Sequence, residues 1–243
     1  MMILRETFKV RTRELDRDGR LKLSAVADYL QEAAARHTNS RGIGMFQLRS
    51  RNRFWVLSRL RIDLTDYPVW NESVTVETWP KGSRLVVAAR DFRLTGADGR
   101  PLGVATSQWL LLNAATRKPG SLEIVTTAFP QLPEVPPAID APPPKVPRLP
   151  RYDHQIIRKP GFSDIDLNGH LNNARYFDWV VDALPPECHA RRIASVAINY
   201  LEEIKCGETV TVSAAVIDAD TVDVEGTIAP ADRAAFRTRI LLA

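Results

Sequence analysis

The chain is poor in cysteine and has no long apolar run, and each of these absences excludes a class of protein. Its two cysteines, Cys188 and Cys206, are too few for a disulfide framework or a paired zinc-binding motif. No apolar stretch approaches the ~20 residues of a membrane-spanning helix. The opening sequence MMILRETFKV lacks the apolar core and cleavage site of a secretory signal. We therefore expect a reduced, cytoplasmic protein with no membrane insertion.

The sequence also lacks a strong excess of charge of either sign. A formal net charge of +4 over 243 residues does not by itself indicate a nucleic-acid-binding protein, and we expect no nucleic-acid partner. Apolar residues make up 44% of the chain, which supplies enough buried surface to exclude a disordered protein. The length predicts one large domain or two small ones.

Proline is concentrated in a single segment. Nine of the 17 prolines lie in PQLPEVPPAIDAPPPKVPRLP, residues 130–150. Proline fixes φ and removes a hydrogen-bond donor, so this segment is neither a helix nor a central strand. We predict a semi-stiff linker over 130–150 that joins an N-terminal domain, 1–129, to a C-terminal domain, 151–243.

Each half contains one amphipathic helix. Apolar residues recur at helical spacing from Leu23 to Arg36 and again from Ala174 to Leu184. Asn172 or Asn173 can cap the start of the second helix, and Pro185 ends it.

Strand-like sequence follows each helix, so each half reads as a strand, a long helix and several antiparallel strands. Ala97-Asp98-Gly99 predicts a hairpin turn in the first half. The predicted strands cover 54–64, 73–79, 84–94 and 101–113, and then 192–201, 209–217, 221–229 and 234–243.

The two halves resemble each other. IDLTDYPVWNESVTV from Ile62 matches INYLEEIKCGETVTV from Ile198, 136 positions later, whereas the helices match at a spacing of 148. The first half therefore carries about twelve extra residues, near 37–53. A helix laid across one face of a curled antiparallel sheet buries the apolar surfaces of both, so we expect an α+β fold of two tandem units.

The segment GFSDIDLNGHLNNARYFDW, which begins at Gly161, carries the clearest chemical signal. Asp166, Asn168 and His170 alternate with apolar or small residues, and an extended backbone would place them on one face. The following helix N-terminus would stabilise an oxyanion with its free N–H groups. A carboxylate beside an imidazole there is suited to acid–base or nucleophilic chemistry.

A purely structural interpretation of the same segment stays open. Asp, Asn and Gly before a helix are frequent turn and cap residues. We interpret Asp164 as a turn or capping residue, and Asn172 and Asn173 as caps.

Several motifs resemble the acyl-acyl-carrier-protein (acyl-ACP) thioesterase family, the plant-type fatty acyl thioesterases and their bacterial relatives. DLNGHLNNARY, residues 166–176, is similar to the family signature D-x-N-x-H-x-N-N-x-x-Y. INYLEE, residues 198–203, resembles the strand that ends in the family's catalytic glutamate, here Glu203. Residues 54–83 and 105–113 also resemble the family, so the likeness spans nearly the whole chain except the proline segment.

The resemblance implies a double hotdog fold and hydrolysis of a fatty acyl-ACP thioester, which releases free fatty acid and terminates chain elongation. It implies a catalytic network of Asp166, Asn168, His170 and Glu203. It implies the carrier protein as partner and neither a cofactor nor a metal. The C-terminal domain would contain the catalytic residues, and the N-terminal domain would bind the acyl chain.

One position departs from many plant members, which have a cysteine directly after the glutamate, where this chain has Ile204. That excludes a cysteine nucleophile at this position, and we expect neither cysteine to be catalytic. In the first half, Asp16 and Asp18 have no histidine at the matching spacing, so we predict one active site per chain.

Several alternatives remain open at this stage. An acyl-CoA thioesterase, a non-catalytic acyl-binding hotdog protein and a hotdog dehydratase all fit the fold. The acyl chain length, the carboxylate that attacks or activates water, and the choice between monomer and homodimer are undecided.

Other charged and metal-binding residue types give weaker signals. His37, His154 and His189 are isolated, so we interpret them as structural or exposed. The sequence also contains no phosphate-binding loop that would indicate a nucleotide.

A run of basic residues has two interpretations: it either docks the acidic carrier protein or forms a solvated face. The run consists of Arg49, Arg51 and Arg53, followed by Arg59 and Arg61.

Overall fold

The computed structural model describes residues 2–131 and 134–243. The chain divides into two compact units, Met1–Pro143 and Pro144–Ala243, and the boundary falls within the proline-rich segment. The described part of each unit contains five antiparallel strands and one main helix, which is the expected α+β architecture.

In the first unit, the helix α1 packs on β1 and β3 of an antiparallel sheet with the strand order β1-β3-β4-β5-β2. The short helix α2 comes before β2 in the sequence, and the short helix α3 comes after β5. The elements are β1 (Leu4–Lys9), α1 (Leu23–Ser40), α2 (Met45–Arg49), β2 (Arg53–Leu64), β3 (Ser73–Arg84), β4 (Val87–Gly96), β5 (Pro101–Asn113) and α3 (Glu123–Ala128).

The second unit repeats this topology. Its strand order is β6-β8-β9-β10-β7, which is the order of the first unit with each strand replaced by its counterpart. Each unit is therefore a hotdog fold. The elements are β6 (His154–Arg158), α4 (Arg175–Asp182), β7 (Ile193–Tyr200), β8 (Val210–Val216), β9 (Thr221–Ile228) and β10 (Arg233–Leu242).

Equivalent hydrogen bonds fix the register of the duplication. Leu21 N–H donates to the Pro68 carbonyl, and Leu171 N–H donates to the Ile204 carbonyl, both at 2.8 Å. Equivalent residues are thus 150 positions apart before the helices and 136 apart after them. The predicted spacing of 148 is wrong by two residues, and the first unit carries 14 extra residues rather than about twelve.

Most predicted elements are present with shifted ends. The helix α1 continues to Ser40, four residues beyond the predicted end, whereas α4 is shorter than predicted. The strand β3 continues five residues beyond Trp79 to Arg84, and a register shift between Pro80 and Gly82 accommodates both residues. Proline and glycine usually mark a loop, which is why the sequence predicted an earlier end.

The core of the second unit contains a close approach that only glycine permits. Gly226 on β9 lies opposite Phe236 on β10, and a Cβ at Gly226 would lie 2.0 Å from a carbon of the Phe236 ring. Phe236 is fully buried and its ring also meets the Tyr176 ring edge to face, with centroids 5.2 Å apart. The ring is therefore held from both sides.

Gly226→Ala should destabilise the protein by about 1–3 kcal/mol, because the added methyl overpacks a core that is already full. Chemical denaturation of the full chain measures the change. Gly161→Ala is the matched control: a Cβ there meets its nearest neighbour at an ordinary 3.7 Å, so we expect a change within about 0.5 kcal/mol. Equal effects of the two substitutions would contradict this account of the core.

Candidate active site

The backbone of the predicted site is a tight turn. Ile165 and Leu171 pair as an isolated antiparallel bridge, and Asp166 N–H donates to the His170 carbonyl at 2.8 Å. Gly169 has φ +84°, a left-handed conformation that glycine adopts without a steric cost. The extended backbone that would place Asp166, Asn168 and His170 on one face is therefore not present, because the chain reverses direction here.

The Asp166 carboxylate organises this turn. Its Oδ1 accepts the backbone N–H groups of Asn168 at 2.8 Å and of His170 at 3.4 Å. Its Oδ2 accepts the Asn168 side-chain amide at 3.3 Å. An aspartate that accepts N–H groups two and four residues ahead stabilises a turn locally. The side chains of Asp166 and Asn168 meet in this turn, and His170 joins it through its backbone N–H, so the turn and not strand alternation brings the three residues together.

Glu203 joins the turn from a distant part of the sequence. It lies in the loop after β7, and its Oε2 is 3.0 Å from Nε2 of His170. The hydrogen bond from Leu171 N–H to the Ile204 carbonyl places the two segments side by side. Both side chains are partly exposed, so the pair is shielded yet accessible to water.

The Glu203 loop is anchored on its other side. The N–H groups of Leu201 and Glu202 both donate to the Ala235 carbonyl of β10. Arg233 forms ion pairs with Glu202 and Glu208. These contacts anchor the backbone on both sides of Glu203.

Tyr176 is a neighbour of the site that was not predicted as a site residue from the sequence. It lies in the first turn of α4 and is buried. Burial raises the pKa of its phenol well above the ordinary value, and the charges of Glu203 and Asp166 raise it further. Tyr176 is therefore a neutral phenol beside the carboxylates, and its place at the end of the D-x-N-x-H-x-N-N-x-x-Y pattern was the signal for it.

Asp164 and Asn172 bond to nearby backbone N–H groups, as turn residues do, whereas the N-cap residue of α4 is Ala174 and not Asn172 or Asn173. Asp164 Oδ2 accepts the Gly161 N–H at 2.9 Å, and Asn172 Oδ1 accepts the Ala174 N–H at 2.8 Å. The Arg175 N–H donates to the Asn172 carbonyl at 2.9 Å. Two N–H groups at the helix start are thus engaged within the chain, which leaves fewer of them for an oxyanion than the sequence suggested.

The cysteines lie outside the His170–Glu203 contact. Cys206 is exposed, and its thiol points to the Pro160 carbonyl at 3.8 Å. Cys188 is buried, and burial raises the pKa of its thiol, which favours the uncharged form. The residue directly after Glu203, Ile204, is fully buried.

The remaining histidines have structural contacts. His154 Nδ1 lies 3.0 Å from the Ala183 carbonyl, and His189 Nε2 lies 3.0 Å from the Val181 carbonyl, so both rings bond to the C-terminal end of α4. His37 is buried with its Nδ1 3.1 Å from the Arg90 guanidinium. Within 2–131 and 134–243, no group of three or more His, Cys, Asp or Glu side chains is arranged to hold a metal ion.

The first unit contains the same turn without the same chemistry. Asp16 Oδ1 accepts the N–H groups of Asp18 and Arg20, each at 2.9 Å, and Gly19 has φ +76°. By the shared register, Arg20 occupies the position of His170 and Tyr67 that of Glu203. The described part of the chain thus has one turn that joins an imidazole to a carboxylate.

Comparisons with known proteins agree with the fold. The model of the acyl-ACP thioesterase N-terminal domain matches residues 2–126, and that of the C-terminal domain matches residues 153–231. The fold defines a double hotdog protein. Its second unit carries a turn with an acid, an amide and an imidazole, namely Asp166, Asn168 and His170. The chain belongs to the acyl-ACP thioesterase family.

Two bacterial structures resemble the whole chain at 27% identity. An acyl-ACP thioesterase from Bacteroides thetaiotaomicron has a TM-score of 0.90, with 100% of this chain and 98% of that chain covered. A putative oleoyl thioesterase from Lactobacillus plantarum has a TM-score of 0.82, with 99% and 95% covered. These likenesses confirm the double hotdog fold.

A curated plant relative is longer than this chain. An acyl-[acyl-carrier-protein] hydrolase of Cuphea viscosissima, named as chloroplastic, is 29% identical over 231 residues, which cover 89% of this chain and 56% of that protein. The chain spans about half the length of the curated relatives it matches. Among the residues described here, none belongs to a helix long and apolar enough to cross a membrane.

Proposed function

We propose that this chain hydrolyses the thioester of fatty acyl-ACP, releasing free fatty acid and thereby terminating chain elongation. The observation that carries the proposal is the 3.0 Å contact between His170 and Glu203. Relatives along most of the chain are named as acyl-ACP hydrolases or thioesterases, which supports the same substrate class.

We assign the activation of water to His170 and Glu203. The imidazole takes a proton as water attacks the thioester carbonyl, and the Glu203 carboxylate stabilises the resulting imidazolium. When the tetrahedral intermediate collapses, the carbon–sulfur bond breaks and His170 returns the proton to the departing thiolate. The products are a carboxylic acid and a free thiol, and the reaction needs no cofactor.

We assign Asp166 a positioning role and Asn168 a binding role. Both Asp166 oxygens accept hydrogen bonds within the turn, so this carboxylate is already engaged. The exposed Asn168 amide gives one N–H to Asp166 and has a second N–H to offer the developing oxyanion.

We propose a division of labour between the domains, 1–129 for the acyl chain and 151–243 for catalysis, with the linker 130–150 between them. The first unit encloses an apolar cluster built from strands and from the segments around α2 and α3. Its buried members are Ile43, Leu48, Ala88, Leu111, Leu122, Val125 and Phe129, with Trp55 and Trp109 packed against it. Such a cluster is chemically suited to a hydrocarbon chain.

Substitutions in this cluster should change the acyl chain length that the enzyme prefers. Ala88→Leu fills the cluster and should lower kcat/KM for long acyl chains about tenfold relative to short ones, while Leu111→Ala should favour longer chains. A panel of acyl-ACPs of graded length measures both shifts. Unchanged length profiles in two folded, active variants would contradict the assignment of the acyl chain to the first unit.

Release of free thiol from acyl-ACPs, with matched acyl-CoAs alongside, tests the proposed reaction. We expect turnover with a preference for the carrier-protein substrate. A preference for acyl-CoA would make the chain an acyl-CoA thioesterase, and turnover of neither would reject hydrolysis. The cytoplasmic location expected from the sequence stays a prediction.

A further inference from the structure

One end of the sheet in the first unit is unusually basic. Three stretches of the sequence contain no Asp or Glu, namely residues 41–62, 78–90 and 99–122. Together they supply α2, the β3–β4 hairpin and the turn after β5. The sequence alone showed only the arginine run in the first stretch.

The strand register brings these three stretches to the same end. Arg53 at the start of β2 pairs with Asn113 at the end of β5, and Val87 at the start of β4 pairs with Leu110. The Ala114 N–H donates to the Asn52 carbonyl at 2.9 Å, which ties the turn after β5 to the turn after α2. Basic residues that are more than 60 positions apart in sequence therefore share one surface.

The cations on this surface are exposed. We call the surface the basic end; it comprises Arg49, Arg51, Arg84, Arg117 and Lys118. Other surface arginines have acidic neighbours, for example Arg191 with Asp220 and Arg239 with Asp223. In contrast, Arg49, Arg51 and Lys118 form no ion pair with any residue of 2–131 or 134–243. The first acidic residue after Lys118 in the sequence is Glu123, at the start of α3.

Apolar side chains lie among these cations. Leu85, at the tip of the β3–β4 hairpin, is 89% exposed, and Phe46 in α2 is 68% exposed. Leu85 also has φ +55°, so the hairpin holds a branched side chain outwards in a left-handed conformation. A surface that combines exposed apolar groups with an excess of one charge fits a protein partner of the opposite charge.

We propose that the basic end docks the acidic carrier protein that delivers the acyl thioester. This inference rests on the proposed hydrolysis of acyl-ACP and adds the surface that recognises the protein part of the substrate. Opposite charges steer the encounter and orient the partner, and exposed apolar groups such as Leu85 add contact after desolvation.

Charge reversal tests the surface against a matched control. The test variant is Arg49→Glu, Arg51→Glu, Lys118→Glu. The control variant, Lys9→Glu, Arg13→Glu, Lys22→Glu, makes the same change in charge with exposed residues of the same unit. Lys9 pairs with Ser73, at the end of β3 away from the hairpin, so the control leaves the basic end intact.

We expect the test variant to raise KM for acyl-ACP about tenfold or more at low ionic strength, with kcat unchanged. The control variant should change KM less than about twofold, since its cations lie at the other end of the sheet. Both variants should hydrolyse an acyl thioester of N-acetylcysteamine, which carries no charge, at the wild-type rate. Added salt should raise the wild-type KM towards that of the test variant.

Two results would overturn the docking surface: an unchanged KM for acyl-ACP in the test variant, or equal effects of the two variants. Loss of activity on the uncharged thioester would also overturn it, because the residues would then act on the site itself. Failure of the wild type on every thioester would reject the proposed hydrolysis instead. In that case, fluorescence anisotropy of a labelled carrier protein still shows whether the test variant, and not the control variant, has lost binding.

Discussion

His170→Ala should lower kcat on acyl-ACP about 10²–10⁴-fold, the usual range for the loss of a general acid–base group. The imidazole contacts Glu203, whereas the turn is held by the backbone of His170 and the Asp166 carboxylate, so the turn does not depend on the ring. Single-turnover thiol release measures the chemical step, and thermal unfolding should show little change in Tm.

His189→Ala is the matched control for this substitution. Its imidazole bonds to the Val181 carbonyl in the C-terminal half of α4, away from the turn that begins the helix. We expect a modest loss of stability, of the order of 1 kcal/mol, and wild-type kcat. Near-wild-type turnover of His170→Ala would remove the imidazole from the mechanism.

Glu203→Gln should lower kcat by a similar factor. Glutamine retains the size of the side chain and a hydrogen bond to His170 but removes the negative charge that stabilises the imidazolium. KM should change little, because the carboxylate acts on the proton transfer and not on the acyl chain. Cys206→Ala, three residues further on, should leave both constants unchanged.

The double variant His170→Ala, Glu203→Gln tests whether the two residues act as one unit. If they do, the double variant should be about as slow as the slower single variant, because the second substitution removes a group that has already lost its partner. Multiplicative losses would instead indicate independent roles and would contradict the shared activation of water.

The contact partners His170 and Glu203 were both predicted as site residues from the sequence, and their catalytic role stays a prediction, whereas the geometry of the turn was not predictable. The signature around His170 and the strand that leads to Glu203 identified both residues. Alternation suggested an extended chain there, and the structure has a turn, because Gly169 adopts a left-handed conformation and the Asp166 carboxylate bonds to the backbone ahead of it. Local hydrogen bonds of this kind compete with strand formation and leave no periodic signal.

The fold was predictable where hydrophobic periodicity was long. The helix that begins at Leu23 and the strands of both sheets follow their patterns to within a few residues in most cases. The helices α2 and α3, of five and six residues, are too short to show a period. The duplication was visible in sequence, but its register before the helices required the hydrogen bonds of Leu21 and Leu171.

The turn shared by the two units shows which residues build the loop and which residues carry the candidate reactive groups. In each unit an aspartate and a left-handed glycine build the same loop, at Asp16 and Gly19 and at Asp166 and Gly169. The loop therefore belongs to the architecture of the repeat, and reactivity is an addition to it. By the shared register, the first copy has Asp18, Arg20 and Tyr67 where the second has Asn168, His170 and Glu203, so a duplicated chain of this kind can gain or lose a candidate reactive centre by side-chain substitution, without rebuilding its backbone.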